Sequence, residues 1–379
     1  MTQMRVKRSM NCVDLSLVTL TLVAVASTSG ACGDAGTEEF ATILPAELSA
    51  PDEHATHAAY DDDDIDDSKV HTMHAPGSDS MAMAGPYIDM NAIPGGDSGE
   101  NREQVGTTSE RPARGDGVGA FRTVCDFSHM NFDDPIVFPG QPGKAHLHAY
   151  FGNATVDADS TAESIREYGG STCRGGTINR TAYWVPAVID RDGKPVKPKS
   201  LETYYKSGYN GIRPGEVQPF PEGLRMIAGD AKSSSTQARA YWGCHANYIG
   251  HPGTIPDCPA GDSPTMIVEF PQCWDGENLD SEDHKSHMAY PQSGGCPASH
   301  PVPIPAITMN VMYDNPSGGT SGWRLASDMY EGSMPGGYSA HADWFDGWDP
   351  EIVETFVENC INPGLDCHSH MLGDGRTIL

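Results

Sequence analysis

Apolar residues are distributed along this chain in three different ways. Residues 13–26 form one apolar run behind a basic start at Arg5, Lys7 and Arg8. Residues 33–119 hold very few large aliphatic side chains, and from residue 120 onwards apolar residues return in short segments. The pattern predicts a signal peptide over 1–32, a disordered acidic linker over 33–119, and over 120–379 one large globular domain or two closely packed ones.

The short apolar segments of the last region have the length and composition of β-strands. Residues 182–189, 265–270 and 307–313 are rich in β-branched and aromatic residues, and Gly and Pro are dense between such segments. Residues 350–359 instead have a helical period behind Asp349 as N-cap, and 162–168 predict a second, weaker helix. We therefore expect a mainly β domain, of β-sandwich or jelly-roll type, with long loops and one or two short helices.

The apolar run near the start is too short to span a bilayer, which takes about 20 apolar residues. The segment Ser29-Gly30-Ala31-Cys32 resembles a bacterial lipoprotein processing box, although an aliphatic residue is usual where Ser29 stands. It predicts lipidation at Cys32 and membrane attachment through that lipid only, in a bacterial cell envelope. The alternative is ordinary cleavage after Ala26, which would leave a soluble secreted protein.

The predicted linker carries much of the formal net charge of −28. An acidic run lies at 61–67, and so acidic a chain is not expected to bind nucleic acid. The linker also contains a loose group of histidines and methionines of the kind that binds copper weakly, with incidental residues in a solvated tether as the alternative. The members of this group are His54, His57, His71, Met73, His74, Met81 and Met83.

Eight of the ten cysteines fall in the predicted domain. An even number in an exported chain predicts disulfides, and sequence alone cannot choose among the 105 ways of pairing eight cysteines. Short loops favour Cys360–Cys367, Cys273–Cys296 and Cys244–Cys258, which leaves Cys125–Cys173. A zinc site is less favoured for them because they do not form C-x₂-C pairs.

Several motifs in this domain resemble a family of secreted domains of unknown function, the one numbered 1996. The motifs that carry the resemblance are residues 129–137, 139–143 and 146–153, Tyr183-Trp184-Val185-Pro186-Ala187, Cys273-Trp274-Asp275-Gly276, residues 278–280, His284, residues 286–291, Cys296-Pro297, His341-Ala342-Asp343-Trp344-Phe345 and Gly347-Trp348-Asp349. The resemblance covers about 121–370 and implies a fungal or bacterial exported domain, often found beside carbohydrate-binding modules, with no agreed activity. Ala342 stands where the family frequently has Gly.

Two paired motifs supply the candidate chemistry. Side chains two apart on a strand share a face, so His146 and His148 form one pair and His341 and Asp343 another. With His287 they offer a ligand set suited to a divalent zinc, copper or iron ion. Catalysis without metal would use His341 as a base with Asp343 and His287. The alternative is that these histidines are hydrogen-bonded structural residues.

Acidic and aromatic residues give two further hypotheses. The many carboxylates could supply the acid pair of a glycosidase, and 275–283 is a plausible calcium loop without the EF-hand spacing. Trp274, Trp344 and Trp348 are candidates for a substrate groove, because flat aromatic faces stack on sugar rings, although core packing would also explain them.

The sequence thus favours an extracellular enzyme that acts on polysaccharide, with a divalent metal as its candidate cofactor. The alternative is a non-catalytic surface protein that binds carbohydrate or metal. A nucleotide cofactor is disfavoured because neither a G-x-G-x-x-G turn after a strand nor a P-loop is present. Convergence of the candidate histidines and Asp343 in one open cleft would favour the enzyme hypothesis over the binding protein.

Overall fold

Short antiparallel strands account for most of the regular structure in the computed structural model, which describes residues 87–208, 211–245, 252–315 and 319–379. The predicted signal peptide, the lipidation site Cys32 and the His/Met group lie outside these residues. The strands are β1 (Val105–Thr107), β2 (Ala120–Cys125), β3 (Phe127–Asn131), β4 (His148–Gly152), β5 (Ala182–Pro186), β6 (Val188–Ile189), β7 (Ser200–Lys206), β8 (Arg225–Gly229), β9 (Ala240–Cys244), β10 (Pro264–Glu269), β11 (Cys273–Trp274), β12 (Met288–Ala289), β13 (Val302–Pro303), β14 (Ala306–Met312), β15 (Arg324–Leu325), β16 (His341–Phe345) and β17 (Arg376–Ile378).

Two five-stranded antiparallel sheets form the body of the domain. The first sheet has the order β2-β7-β14-β10-β9 and the second has the order β3-β4-β5-β16-β8. Their facing sides share one hydrophobic core, in which the Tyr183 hydroxyl of the second sheet lies 2.7 Å from the Tyr205 hydroxyl of the first. The structure confirms a mainly β fold, and the two sheets pack face to face as in a sandwich.

The second sheet is also covered on its other side. Along β16, Ala342 and Trp344 belong to the core between the sheets, while Phe345 packs in a separate apolar cluster on the outer face. That outer cluster also contains Tyr150, Trp184 and Ile165. Every residue of β4, β5 and β16 is therefore buried, and a polar side chain on the outer face lies beneath the covering loops rather than in solvent.

Both predicted helices are present. The first, α1 (Ala162–Glu167), begins at Thr161, whose side chain accepts a hydrogen bond from the Ser164 N–H in a capping box. The second, α2 (Pro350–Phe356), begins at Asp349 and continues as a π-helical segment, Val357–Ile361. It ends as an α-helix earlier than the helical period predicts, and Phe356 stacks on Phe121 of the core at 4.6 Å between ring centroids.

The structure differs from the sequence-based prediction over residues 87–119, which the composition assigns to the disordered linker. A short 3-10 turn lies at Met90–Ala92, and β1 pairs with β17 near the end of the chain. The Asp97 N–H donates to the Ser128 carbonyl, and Glu100 pairs with Ser171. These contacts join backbone groups, so they need few apolar side chains and leave little trace in composition.

Four disulfides close the loops of the domain: Cys125–Cys173, Cys244–Cys258, Cys273–Cys296 and Cys360–Cys367. The last three are the pairs that short loops favour, and Cys125–Cys173 is the pair that they leave. Disulfides are typical of proteins exported to an oxidising compartment. In the part of the chain that the structure describes, no helix combines the length and the apolar character needed to cross a bilayer.

Candidate metal centre

Three histidines meet on the outer face of the second sheet. His148 is the first residue of β4, His146 precedes it by two residues in extended chain, and His341 is the first residue of β16. Strand β5 lies between β4 and β16. Because alternate residues of a strand share a face, Asp343 lies on the same side as His341, opposite Trp184 of β5 and Ile227 of β8.

The three imidazole rings are close enough to share one ion. The ring centroid of His146 lies 4.2 Å from that of His148 and 5.0 Å from that of His341. One nitrogen from each ring lies within 4.8 Å of the other two, and Nε2 of His146 lies 3.2 Å from Nε2 of His341. Two nitrogens bound at about 2.0–2.1 Å to a tetrahedral zinc ion would lie about 3.3 Å apart. The separation of His146 and His341 therefore matches that of two ligands of one zinc ion, and a nitrogen of His148 lies within 4.8 Å of both.

Backbone carbonyls fix the tautomers of two of these rings. Nδ1 of His148 donates to the Asp133 carbonyl at 2.9 Å, and Nδ1 of His341 donates to the Ser339 carbonyl at 2.8 Å. A carbonyl only accepts, so each Nδ1 carries the proton and each Nε2 keeps its lone pair. Metal-binding histidines are held in this way in proteins. Among the described residues, the buried Nε2 of His148 has no hydrogen-bond partner.

Burial keeps these rings neutral, which is the form that binds metal. Desolvation, together with the neighbouring His341, lowers the pKa of His148 to about 3, and desolvation lowers the pKa of His341 to about 4. The pKa of His146 is also lowered, first by burial and then by the two other histidines. At neutral pH a metal ion would not have to displace protons from them.

A second group shares His148 with the first. Asp134, His148 and Asp343 are all buried and place one ligand atom each within 4.8 Å of one another. Desolvation raises the pKa of both carboxyl groups, and Oδ2 of Asp343 has no partner among the described residues. Since His148 has a single free nitrogen, one ion at a time can use it. The sequence indicates Asp134 only as one of the carboxylates of a possible glycosidase pair and not as a metal ligand, because its position depends on the loop before β4.

The histidines open onto a cavity of about 690 Å³. His146, His341, Asp134 and Asp343 line it. Apolar side chains make up much of the remaining wall, including Phe138 and Ile227. The volume lies within the range of small-molecule sites, about 300–1,000 Å³. The polar groups therefore converge at one open cavity.

His284 is a functional candidate that sequence reasoning missed. It lines the same cavity, and its Nδ1 lies 3.0 Å from Oδ1 of Asp280. The carboxylate accepts the Nδ1 proton, so the lone pair of Nε2 is free to accept another. His284 has a φ of 57°, a conformation that is uncommon outside glycine and often marks functional sites. The signals in the sequence are the spacing of Asp280 and His284 in an acidic loop and the place of His284 among the residues that carry the family resemblance.

His287, predicted as a ligand and a catalytic residue, has a different position. It does not line the cavity, and both of its ring nitrogens have partners in the protein. Nδ1 lies 2.9 Å from the Ser281 hydroxyl, and Nε2 lies 2.7 Å from the Arg225 carbonyl. We therefore correct this prediction: His287 holds the 281–287 loop against β8, and that loop directs His284 to the cavity.

The predicted tryptophan groove also needs correction. Trp344 and Trp348 are buried between the sheets, and both donate to the Tyr205 hydroxyl. Trp274 is partly buried on β11, donates to the Asn278 carbonyl, and does not line the cavity. Similarly, the Asp275 and Asp283 carboxylates of the proposed calcium loop accept N–H groups of their own loop. Core packing accounts for the two buried tryptophans.

Comparison with known proteins identifies the family. A family model described as a domain of unknown function, DUF1996, matches residues 134–348. Neither the curated proteins nor the solved structures include a match to this chain. The matched region contains Asp134, His146, His148, His284, His341 and Asp343. The chain belongs to the DUF1996 family.

Proposed function

We propose that this protein is an exported, metal-dependent hydrolase, with a zinc ion held by His146, His148 and His341. The observation that carries the proposal is the convergence of three neutral imidazoles, two of which donate Nδ1–H to a carbonyl and so keep the Nε2 lone pair for a metal. Three histidines with an open fourth position are typical of catalytic zinc, whereas structural zinc sites are closed by four protein ligands.

The surroundings of the histidines favour an enzyme over a metal store. A bound zinc ion would supply Lewis-acid activation of a water molecule near neutral pH. His284, oriented by Asp280, supplies a base at the same cavity. In hydrolysis it would accept a proton from the water as the oxygen attacks, and return that proton to the leaving group. Asp343, neutral through burial, is a second proton donor beside His148.

The exported location is supported by the four disulfides. Attachment through a lipid on Cys32 stays a prediction from the sequence, as does polysaccharide as the substrate. The apolar cavity wall and the buried positions of Trp344 and Trp348 give the polysaccharide no support.

Elemental analysis of the full-length protein tests the metal centre. The protein is incubated with zinc, passed through a desalting column and compared with His148→Ala and His341→Ala. We expect stoichiometric zinc in the wild type and an affinity at least about 100-fold lower in both variants, because removing a ligand costs more than removing its supporting hydrogen bond.

The control variant is His370→Ala. His370 is paired with Glu110 at the surface and is remote in sequence from the three proposed ligands. It should retain zinc at the wild-type level. Circular dichroism verifies that each variant is folded. Wild-type protein without zinc, or folded His148→Ala with wild-type affinity, would disprove the metal centre.

A further inference from the structure

Lysines are concentrated at the metal cavity although the chain is acidic. The lysines of the described residues are Lys144, Lys194, Lys197, Lys199, Lys206, Lys232 and Lys285. Lys144, Lys232 and Lys285 line this one cavity. They come from three separate segments: the loop before β4, the turn after β8 and the loop that carries His284. Such convergence is unexpected in a protein with a net charge of −28.

The ammonium groups of these lysines are available to a ligand. All three side chains are exposed, and Lys144 and Lys232 take part in no ion pair with any residue in the described ranges. Lys285 donates to the Gly229 carbonyl at 2.9 Å, which uses one of its three N–H groups. Gly229 pairs with His341 between β8 and β16, so the Lys285 ammonium lies near the proposed metal centre.

Nearby carboxylates are hydrogen-bonded mainly within their own loops. The Asp283 carboxylate accepts hydrogen bonds from the Ser281 hydroxyl and from the Lys285 and Ser286 N–H groups. Asp230 accepts one from the Lys232 N–H, and Asp134 accepts two from its own loop. Even with Asp343 ionised, the positive charge of three lysines and a divalent ion would exceed the negative charge of the four carboxylates that line the cavity. An anionic group would complete the charge balance.

The rest of the wall is suited to an apolar body. Val137 is 37% exposed and Met329 is 50% exposed, and both line the cavity together with Phe138 and Ile227. Exposed large hydrophobic side chains are few among the described residues of this domain. The position of Val137 and Met329 at the cavity is typical of a ligand-binding surface.

We propose that the cavity binds an amphipathic anion, a small ligand with an apolar body and one carboxylate or phosphate group. The apolar body lies against Val137, Phe138 and Met329, and the anionic group is held between the lysines. This inference rests on the proposed metal centre, because the anion also faces the bound ion. If the cavity prefers such an anion, an uncharged sugar should be a poor ligand.

Calorimetric titration of the zinc-loaded, full-length protein tests this inference with a matched pair of probes. 3-Phenylpropionate carries a carboxylate, and 3-phenylpropionamide has the same shape without charge. We expect the carboxylate to bind at least tenfold more tightly than the amide, and cellobiose to bind more weakly than either. Phenylphosphonate distinguishes the two anionic groups: tighter binding than 3-phenylpropionate assigns phosphate, and weaker binding assigns carboxylate.

Two triple variants distinguish the effect of the three cavity lysines from the effect of the protein's overall charge. Lys144→Met/Lys232→Met/Lys285→Met should lose at least tenfold in affinity for 3-phenylpropionate. Lys194→Met/Lys197→Met/Lys199→Met removes the same charge from exposed lysines that do not line the cavity, and should bind as the wild type does. Equal affinities for carboxylate and amide, or equal losses in both triple variants, would overturn the inference.

Zinc content keeps the two proposals distinguishable. It is measured on every sample by elemental analysis, and it should be the same in both triple variants because none of the six lysines is a proposed ligand. Wild-type protein that holds zinc but does not prefer the anion overturns the inference and leaves the metal centre standing. Wild-type protein that holds no zinc overturns the metal centre itself, and with it the inference that rests on it.

Discussion

At the scale of single residues, the roles of the histidines depend on which ring nitrogens the protein already uses. Both nitrogens of His287 are hydrogen-bonded, so it has no lone pair to offer a ligand. His148 and His341 each use Nδ1 on a backbone carbonyl, which leaves the Nε2 lone pair for a metal, and His284 uses one nitrogen on Asp280. Sequence predicts the residue type but not this distribution, because it depends on the loop conformations that place a carbonyl, a hydroxyl or a carboxylate beside each ring.

His284→Gln tests proton transfer at this scale. Glutamine preserves polarity and approximate size but cannot accept a proton near neutral pH. We expect the zinc-dependent hydrolysis of 4-nitrophenyl acetate to fall about 100-fold, the lower end of what a general base contributes. Zinc content should not change. His370→Gln is the control, and a rate in His284→Gln equal to that of the wild type would remove His284 from the mechanism.

At the scale of elements, the position of His341 depends on a close approach between β8 and β16. Gly229 pairs with His341 and has a φ of 83°. A Cβ at this position would lie 2.5 Å from the Ala340 carbonyl oxygen and 2.8 Å from the His341 Cα. Only glycine combines this backbone conformation with this contact.

Gly229→Ala should therefore disturb both the fold and the metal centre. Gly261 is a matched control because its φ is 86° and a Cβ added there would have no atom within 4 Å. Gly261→Ala should cost about 1–2 kcal/mol of unfolding free energy through the backbone conformation alone. Gly229→Ala should cost about 1–3 kcal/mol more, and should weaken zinc binding. Urea denaturation and zinc titration measure these effects; equal losses in the two variants would contradict the argument.

Elements with a strong local pattern could be predicted from the sequence. The segments 182–189 and 307–313 are strands, and 350–356 is a helix behind Asp349. The period of two also predicts that His341 and Asp343 share a face. The local pattern does not contain the order of strands in a sheet. Strands β4 and β16 are almost 200 residues apart in the chain, but only β5 lies between them in the sheet. The loop conformations that select His284 over His287 depend on that order.

At the scale of the whole molecule, buried histidines make the metal-free protein sensitive to acid. The pKa of His341 is about 4 in the folded state and about 6.5 when unfolded. Between these values the unfolded chain binds the additional proton, so this group lowers stability as the pH falls from 6.5 to 4, by roughly 3 kcal/mol. His148 acts in the same sense. Asp343, with a raised pKa, acts in the opposite sense.

A comparison of two proteins separates the contribution of the histidines to the pH dependence of stability from that of the carboxyl groups. Thermal unfolding of the zinc-free wild type is compared with that of His148→Gln/His341→Gln from pH 7 to pH 4. The wild type should lose more stability than the double variant over this range, since glutamine does not titrate. Parallel curves for the two proteins would show that these rings are not held neutral by burial.

The disulfide between Cys125 and Cys173 also determines how the domain responds to mechanical force. Tension on the N-terminal segment would first reach residues 87–119, which are held by backbone hydrogen bonds, and then Cys125. There the covalent bridge passes the load directly to Cys173. The 126–172 loop, which contains Asp134, His146 and His148, lies inside the bridge and is not extended. A pull from the side of the predicted tether would therefore leave two of the three proposed zinc ligands unloaded.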